Sequence, residues 1–129
     1  MARRREERRL GELELRIMNV LWEQGPSTVR EVLEALPARP RPAYTTVLTM
    51  MRLMHEKGYL DRREQGKAHV YQPRLREQVV KGRLVRTMVN TVFRGSAEAA
   101  VVRLLEDEKL TAEELQRIRK VIDEFEQGG

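Results

Sequence analysis

The fold is decided by residues 43–72, which read AYTTVLTMMRLMHEKGYLDRREQGKAHVYQ. In the first half of this stretch, apolar side chains recur at helical spacing along one side. They are Tyr44, Val47, Met51 and Met54, with Leu48 at the edge. Gly58 then supplies a helix stop. The pattern predicts an amphipathic helix over residues 43–57 that packs one face on a core.

The opposite side of this helix is rich in threonine. It carries Thr45, Thr46, Thr49 and Arg52. Threonine is a mediocre helix former, and exposed helix positions normally carry glutamate, lysine or glutamine. Its hydroxyl can bond to a base edge and its methyl can pack on thymine, so these residues are candidates for reading DNA bases. The alternative is that the threonines simply fill an exposed surface.

The second half of the stretch predicts two short strands, over residues 59–64 and 68–72, joined by a glycine-bearing loop over residues 65–67. Cations surround this hairpin and the proline-rich segment before the helix. Because loop cations position a protein on DNA rather than specify a sequence, they are candidates for phosphate contacts. The candidates are Arg39, Arg41, Arg62, Arg63 and Lys67, together with the Tyr44 hydroxyl.

Two further helices are expected upstream. Apolar residues recur at helical spacing over residues 10–22, and Gly25-Pro26 ends that pattern. Thr28 stands three residues before Glu31, a capping box that opens a second, short helix. Helix, helix, helix and hairpin is the order of a winged helix, in which the third helix enters the major groove and the hairpin lies along the backbone.

Three helices are expected downstream of Pro73, with apolar stripes over residues 75–93, 97–105 and 115–125. Ser96 is expected to cap the second helix, and Thr111 with Glu114 to form a capping box that opens the third. About fifty residues in three helices cannot bury so much apolar surface alone. We therefore expect them to pair with the same helices of a second copy, although packing back onto the winged helix is an alternative. The residues expected to hold this dimer are Leu84, Met88, Val92, Leu104, Leu105, Leu115, Ile118, Ile122 and Phe125.

Charge is distributed unevenly along the 129 residues, whose net charge is +5. Residues 39–73 carry seven basic and three acidic side chains, and residues 74–94 carry six basic and one acidic. Residues 95–129 carry five basic and nine acidic side chains. A basic middle beside an acidic end favours a polyanion partner for one part of the chain and a different task for the other.

Composition excludes several classes of function. Without cysteine the chain cannot form a disulfide, a thiolate metal site or a thiol nucleophile. With two histidines and no recognisable nucleophile and base, neither an enzyme nor a cofactor or metal site is expected. No apolar run is long enough to span a bilayer, and no apolar stretch follows the basic N-terminus, so we expect a cytoplasmic protein.

These features together predict a mainly α fold with a small β-hairpin. Residues 1–9 are expected to form a basic flexible tail, although an arm in the minor groove of DNA is an alternative. Residues 10–73 are expected to form a winged helix-turn-helix domain that binds DNA. Residues 74–129 are expected to form a helical dimerisation domain.

The chain resembles the BlaI/MecI penicillinase-repressor family, whose other branch is the copper-responsive CopY repressors. The resemblance extends from Leu10 to Phe125. Its matching pieces are residues 10–14, 18–22, 28–32, 43–47 with Thr49, 57–60, Tyr71 and 113–118. The resemblance implies a homodimeric winged-helix repressor that occupies a palindromic operator and releases it on a signal.

Two departures bear on that signal. The copper-responsive branch holds its metal through a cysteine cluster near the C-terminus, and this chain has no cysteine. The β-lactam-responsive members are cut at an Asn-Phe bond, and the matching bond here is Arg103–Leu104. The resemblance thus implies a membrane sensor protease as a partner, and it does not extend to a β-lactam as the signal.

The leading interpretation is a sequence-specific DNA-binding transcriptional repressor. A winged-helix module that binds another protein and no nucleic acid is the alternative. The threonine face and the cationic hairpin favour the repressor.

Overall fold

A computed structural model describes residues 10–37 and 41–128. Within them the chain forms six helices and three strands. In chain order these are α1 (Glu12–Gln24), β1 (Ser27–Thr28), α2 (Val29–Ala35), α3 (Tyr44–Glu56), β2 (Leu60–Gln65), β3 (Ala68–Pro73), α4 (Glu77–Val92), α5 (Ala97–Asp107) and α6 (Ala112–Gly128). The predicted fold class is confirmed, since a winged helix-turn-helix precedes three further helices. The predicted basic tail lies outside the described residues.

The three strands form one antiparallel sheet in the order β1-β3-β2. β2 pairs with β3 from Leu60 opposite Pro73 to Gln65 opposite Ala68. The loop between them is therefore Gly66-Lys67, one residue shorter than predicted, because Gln65 joins the ladder. Gly66 has a φ of 63°, which the tight turn requires and which glycine adopts without strain.

The sequence does not predict β1. Ser27 pairs with Tyr71 and Thr28 pairs with Val70. Two residues are too few to show the alternation that marks a strand. Their pairing makes β3 the central strand and ties the connection between α1 and α2 to the wing, the hairpin formed by β2 and β3.

The predicted capping box at the start of α2 is confirmed. The Glu31 amide donates to Thr28 Oγ1 at 3.1 Å, and the Thr28 amide donates to Glu31 Oε1 at 2.8 Å. These bonds satisfy donors that a helix start leaves open. Because Thr28 also belongs to β1, the same residue fixes where α2 begins relative to the wing.

A buried carboxylate connects the start of α1 with the end of α3. Glu14 Oε1 accepts from the Gly11 amide at 2.8 Å, which caps α1. The other carboxylate oxygen lies 4.0 Å from the Nζ of Lys57, the residue that follows α3. Glu14 therefore caps the start of α1 and also forms an ion pair with the residue that follows α3.

The core of the winged helix surrounds the apolar face of α3. Val47, Met51 and Met54 are fully buried, as the helical spacing predicts. They share one cluster with side chains of α1, α2 and the wing, namely Ile17, Met18, Leu21, Val29, Val32, Leu36, Tyr59, Leu60 and Tyr71. Because the apolar side is held in this cluster, the threonine side of α3 faces solvent.

Trp22 joins α1 to the region where α4 begins. Its indole Nε1 donates to the Leu75 carbonyl at 2.9 Å, and Lys81 Nζ lies 5.6 Å from its ring centroid. The first compact unit of the chain extends to Val85, and the second begins at Arg86, inside α4. The predicted functional division after Pro73 stays a prediction.

The second unit contains the end of α4 and the whole of α5 and α6. Ser96 caps α5, as predicted, by accepting from the Ala99 amide at 3.0 Å. The predicted capping box of α6 joins Thr111 and Glu114 through bonds of 2.9 and 3.0 Å. Hydrogen bonds from the Thr111 backbone and side chain hold the pKa of the Glu114 carboxyl below its ordinary value. The ionised Glu114 carboxylate therefore stabilises the start of α6 at neutral pH, and this stabilisation is lost as pH falls through the lowered pKa.

No helix in residues 10–37 and 41–128 combines the length and the apolar character needed to cross a membrane.

The packing of α3 gives a prediction about stability. Met51→Ala removes a fully buried side chain from the centre of the core and should lower the free energy of unfolding by roughly 2–5 kcal/mol. Leu53, on the same helix, is 43% exposed, so Leu53→Ala is the matched control and should cost much less. Urea unfolding of both variants measures the difference. Equal costs for the two would contradict the assignment of the buried face.

Candidate nucleic-acid interface

The exposed face of α3 brings together the four residues predicted to read bases. Thr45, Thr46, Thr49 and Arg52 are all exposed. Thr45, Thr49 and Arg52 follow one another by four and three residues, so they form a ridge about 10 Å long at 1.5 Å per residue. Within the described part of the chain, none of the four side chains forms a hydrogen bond or ion pair, so their polar atoms are open to a partner.

The first turn of α3 is open to an anion. Its N-cap is Ala43, which has no side-chain acceptor, and the Ala43 carbonyl accepts from the amides of Thr46 and Val47 at 3.1 and 3.2 Å. The preceding amides, of Tyr44 and Thr45, lie at the open end of the helix, where the helix dipole favours negative charge.

Tyr44 stands at the edge of the exposed face rather than in the core. It is 39% exposed, although the helical pattern places it on the apolar side. The guanidinium carbon of Arg30 lies 5.2 Å from the centroid of its ring, a cation–π contact. This contact holds the ring against α2 and is compatible with a hydroxyl that reaches a phosphate.

The wing carries Arg62, Arg63 and Lys67, all of them exposed. Neighbouring residues of a strand point to opposite faces, so Arg62 and Arg63 serve different surfaces. Arg62 pairs with Tyr71 and Arg63 with Val70 on the central strand. The wing therefore offers cations on both of its faces and at its tip.

Two open grooves separate the wing from the helices. The α3–wing groove has a volume of about 370 Å³ and is lined by Thr28, Val29, Arg30, Tyr44, Leu48, Lys67, Ala68, His69 and Tyr71. The α2–wing groove has a volume of about 480 Å³ and is lined by Pro26, Thr28, Arg30, Glu31, Glu34, Arg63, Gln65 and Val70. Lys67 thus lines the first groove and Arg63 the second.

The loop before α3 has one described candidate. Arg41 Nη2 lies 3.4 Å from the Glu34 carbonyl and 3.3 Å from the Leu36 carbonyl, and it donates to both. Arg41 therefore satisfies carbonyls at the end of α2, a structural role that the sequence does not predict. Arg39 lies outside the described residues.

Sequence analysis missed Arg30 as a site residue. It is exposed on the first turn of α2, touches Tyr44 and lines both grooves. Its position inside a capping-box helix gives no sequence signal for this placement, because α2 and the wing meet only in the folded chain.

Within the part of the chain that the structure describes, neither histidine belongs to a group of three or more metal-ligating side chains. His69 packs edge-on against Tyr71 at 6.3 Å between ring centroids, and its Nε2 lies 3.9 Å from Glu64 Oε1. Across the described ranges, no three histidine or acidic side chains converge as a metal site would require.

The residues predicted to hold a dimer lie on α4, α5 and α6. Exposed among them are Met88, Val92, Leu104, Leu105, Ile122 and Phe125. The other three, Leu84, Leu115 and Ile118, are half-buried. Phe125 is 78% exposed, an unusual position for a phenylalanine in an isolated chain.

The predicted cleavage bond, Arg103–Leu104, lies inside α5. Arg103 forms an exposed ion pair with Asp107 one turn later, at 3.7 Å. The bond is thus presented on a solvent-facing helix rather than on a loop.

Comparisons with known proteins agree with one another. The model of the penicillinase repressor family matches residues 10–124. The transcriptional regulator BlaI of Mycobacterium tuberculosis is 37% identical over 122 residues, which cover 93% of this chain and 87% of that protein. The penicillinase repressor of Bacillus licheniformis is 24% identical over 89% of this chain and 90% of its own length.

A more distant relative is the methicillin resistance regulatory protein MecI of Staphylococcus aureus, which is 22% identical over 85% of this chain and 89% of its own length. Among solved structures, the DNA-binding domain of the repressor BlaI aligns with a TM-score of 0.49 and 28% identity, over 54% of this chain and 84% of that domain. The family match covers nearly the whole chain, and the chain therefore belongs to the penicillinase repressor family.

Proposed function

We propose that this protein is a sequence-specific DNA-binding transcriptional repressor that acts as a homodimer on a palindromic operator. The observation that carries the proposal is the exposed threonine and arginine ridge of α3, flanked by a cationic wing, in a member of a repressor family. Because a repressor acts on chromosomal DNA, we also propose that it works in the cytoplasm.

The ridge of α3 has the chemistry of a base-reading surface. Each threonine offers a hydroxyl that donates or accepts and a methyl that packs on thymine. Arg52 can donate two hydrogen bonds to guanine. In a winged helix this helix lies in the major groove, where such groups distinguish all four base pairs.

The surrounding cations suit the phosphate backbone. Arg62, Arg63 and Lys67 on the wing are proposed to contact phosphates, together with Arg39 and Arg41 from the loop before α3. The Tyr44 hydroxyl and the open first turn of α3 add donors beside them. These contacts fix the position of the protein on DNA and leave the choice of sequence to the ridge.

A module that binds another protein without nucleic acid is the other candidate from the sequence. The names of the relatives describe regulators and repressors, which favours the DNA-binding function. Unengaged threonines on the exposed ridge favour it as well, since a protein-binding face is typically richer in apolar and aromatic side chains.

Operator binding tests this proposal. In a gel shift, the chain should bind a fragment from upstream of its own gene more tightly than a scrambled fragment of equal composition. Thr46→Ala and Thr49→Ala should weaken operator binding by roughly 1–3 kcal/mol per lost base contact and leave scrambled DNA nearly unaffected. Lys67→Ala should weaken both DNAs by the same factor, because phosphates carry no sequence information.

Thr87→Ala, an exposed threonine on α4, is the matched control and should change neither affinity. If the threonine variants weaken binding to both DNAs equally, the α3 ridge contacts phosphates rather than bases. A wild-type chain that binds neither DNA would favour the protein-binding module.

We further propose that α4, α5 and α6 pair with the same helices of a second copy. The exposed apolar side chains of these helices support this, because a monomer would leave them in water. The pairing would join two winged helices on two operator half-sites and raise the affinity through their effective concentration.

Substitutions on α6 test the dimer. Ile122→Asp and Phe125→Asp place charges on the exposed apolar side and should convert a dimer into a monomer in sedimentation at micromolar concentration. Helix content should be unchanged, since both side chains are exposed in the protomer. Operator affinity should fall by about 10²–10⁴ because bivalent binding is lost. Glu124→Gln is the control, and a monomeric wild-type chain would disprove the dimer.

Release from DNA is proposed to follow proteolysis by a membrane sensor protease at Arg103–Leu104. A cut there would separate the winged helix from the end of α5 and from α6. The fragment that remains would keep its own core and lose Leu104, Leu105, Ile122 and Phe125 from the dimer surface. Bivalent binding would then be lost without unfolding the part that reads DNA.

Mass spectrometry of the chain recovered from induced cells tests this release. The wild-type chain should appear as fragments that end at Arg103 and begin at Leu104. Arg103→Ala should resist the cut and keep the operator occupied, whereas Lys109→Ala, a cation beyond α5, should be cut normally. Release of an intact chain would contradict proteolysis and indicate a ligand-operated repressor.

A further inference from the structure

Arg30 occupies a position that joins α2, α3 and the wing. Its guanidinium lies over the Tyr44 ring at 5.2 Å, and its side chain lines both the α3–wing groove and the α2–wing groove. The side chain is exposed and forms no ion pair within the described residues. An unpaired arginine held by a ring at the junction of two grooves is available for an anion.

The charges of the two grooves differ. The α3–wing groove is lined by two cations, Arg30 and Lys67, and by no acidic side chain. The α2–wing groove contains Arg30 and Arg63, but also Glu31 and Glu34. The Glu31 carboxylate is engaged by the Thr28 amide, while Glu34 retains an exposed negative charge. An anion is therefore favoured in the α3–wing groove.

We propose that the α3–wing groove binds a phosphate of the DNA backbone, with Arg30 and Lys67 as its two cations. The inference rests on the proposed DNA-binding function and adds a phosphate contact from α2. The groove lies beside Tyr44, at the open first turn of α3, so a strand whose bases face the α3 ridge passes it.

Tyr44 acts as a positioning residue for this contact. A guanidinium over an aromatic face keeps the N–H donors at its edges available, and fewer rotamers of the long side chain remain to be frozen on binding. Arginine suits this role better than lysine, because its planar group stacks on a ring and also forms paired bonds to phosphate oxygens.

Salt-dependent binding of the full chain to a mixed-sequence 30-bp duplex, and to the operator fragment for comparison, tests the proposal. Arg30→Gln should weaken binding by roughly tenfold, with log K against log salt shallower by about 1.8, since a dimer loses two phosphate contacts at about 0.9 each. Arg30→Lys should retain most of the slope and recover only part of the affinity. Arg16→Gln makes the same charge change on α1, where Glu12 pairs with Arg16 at 2.7 Å, and should leave the slope unchanged.

A double-mutant cycle tests the role of Tyr44. Tyr44→Leu should weaken binding, and in that background Arg30→Gln should cost a smaller factor than in the wild type. Tyr44→Phe keeps the ring and should preserve the full effect of Arg30→Gln. Equal effects of Arg30→Gln in all three backgrounds would overturn the positioning role.

The remaining outcomes are separable. Wild-type affinity and slope in Arg30→Gln would overturn the phosphate contact, as would a loss confined to operator DNA, which would make Arg30 a base reader. If circular dichroism shows that Arg30→Gln is unfolded, Arg30→Lys decides: a reduced affinity for the duplex supports the contact, and a wild-type affinity with a wild-type slope overturns it. A wild-type chain that binds no DNA at all would instead disprove the proposed function.

Discussion

The burial of one side of α3 is the constraint on which the rest of this protein depends. Val47, Met51 and Met54 lie in the core with no exposure, and each buried side chain of this size contributes about 1.5–3 kcal/mol. Rotating α3 about its axis would bring these side chains into water, so its orientation is fixed. The threonine and arginine ridge is exposed for that reason. The surface that is proposed to read DNA is thus held in place by buried residues that are not part of that surface.

The position of the wing is set by strand pairing. β3 is central because the two residues of β1 pair with it on one side and β2 pairs on the other. Tyr71 and Val70 on β3 are both buried, and each lies opposite one of the adjacent arginines of β2. Because neighbouring residues of a strand point to opposite faces, Arg62 and Arg63 lie on different faces of the wing. Thr28 both pairs with β3 and caps α2, so it fixes the start of α2, where Arg30 lies, relative to the wing.

The two compact units differ in how completely they bury their apolar residues. The first unit has a continuous core and extends into the first turns of α4. The hydrogen bond from the Trp22 indole to the Leu75 carbonyl connects α1 with the start of α4. In the second, Ala100 is buried while side chains as large as Phe125 are exposed. The apolar residues of the first unit are thus largely covered within one protomer, and those of the second are not. This asymmetry is the physical basis of the proposed dimer and of its loss on cleavage.

The sequence by itself determined the helices, the hairpin, the caps at Thr28, Ser96 and Thr111, and the separation of α3 into an apolar and a threonine face. These features follow from spacing and local hydrogen bonding, which neighbouring residues decide. Tertiary structure alone decided that Ser27 and Thr28 form a strand, that Arg41 satisfies carbonyls of α2, and that Arg30 lies between Tyr44 and the wing. Each of these depends on contacts between segments distant in the chain or on the path of a loop, and no local pattern of side chains encodes them.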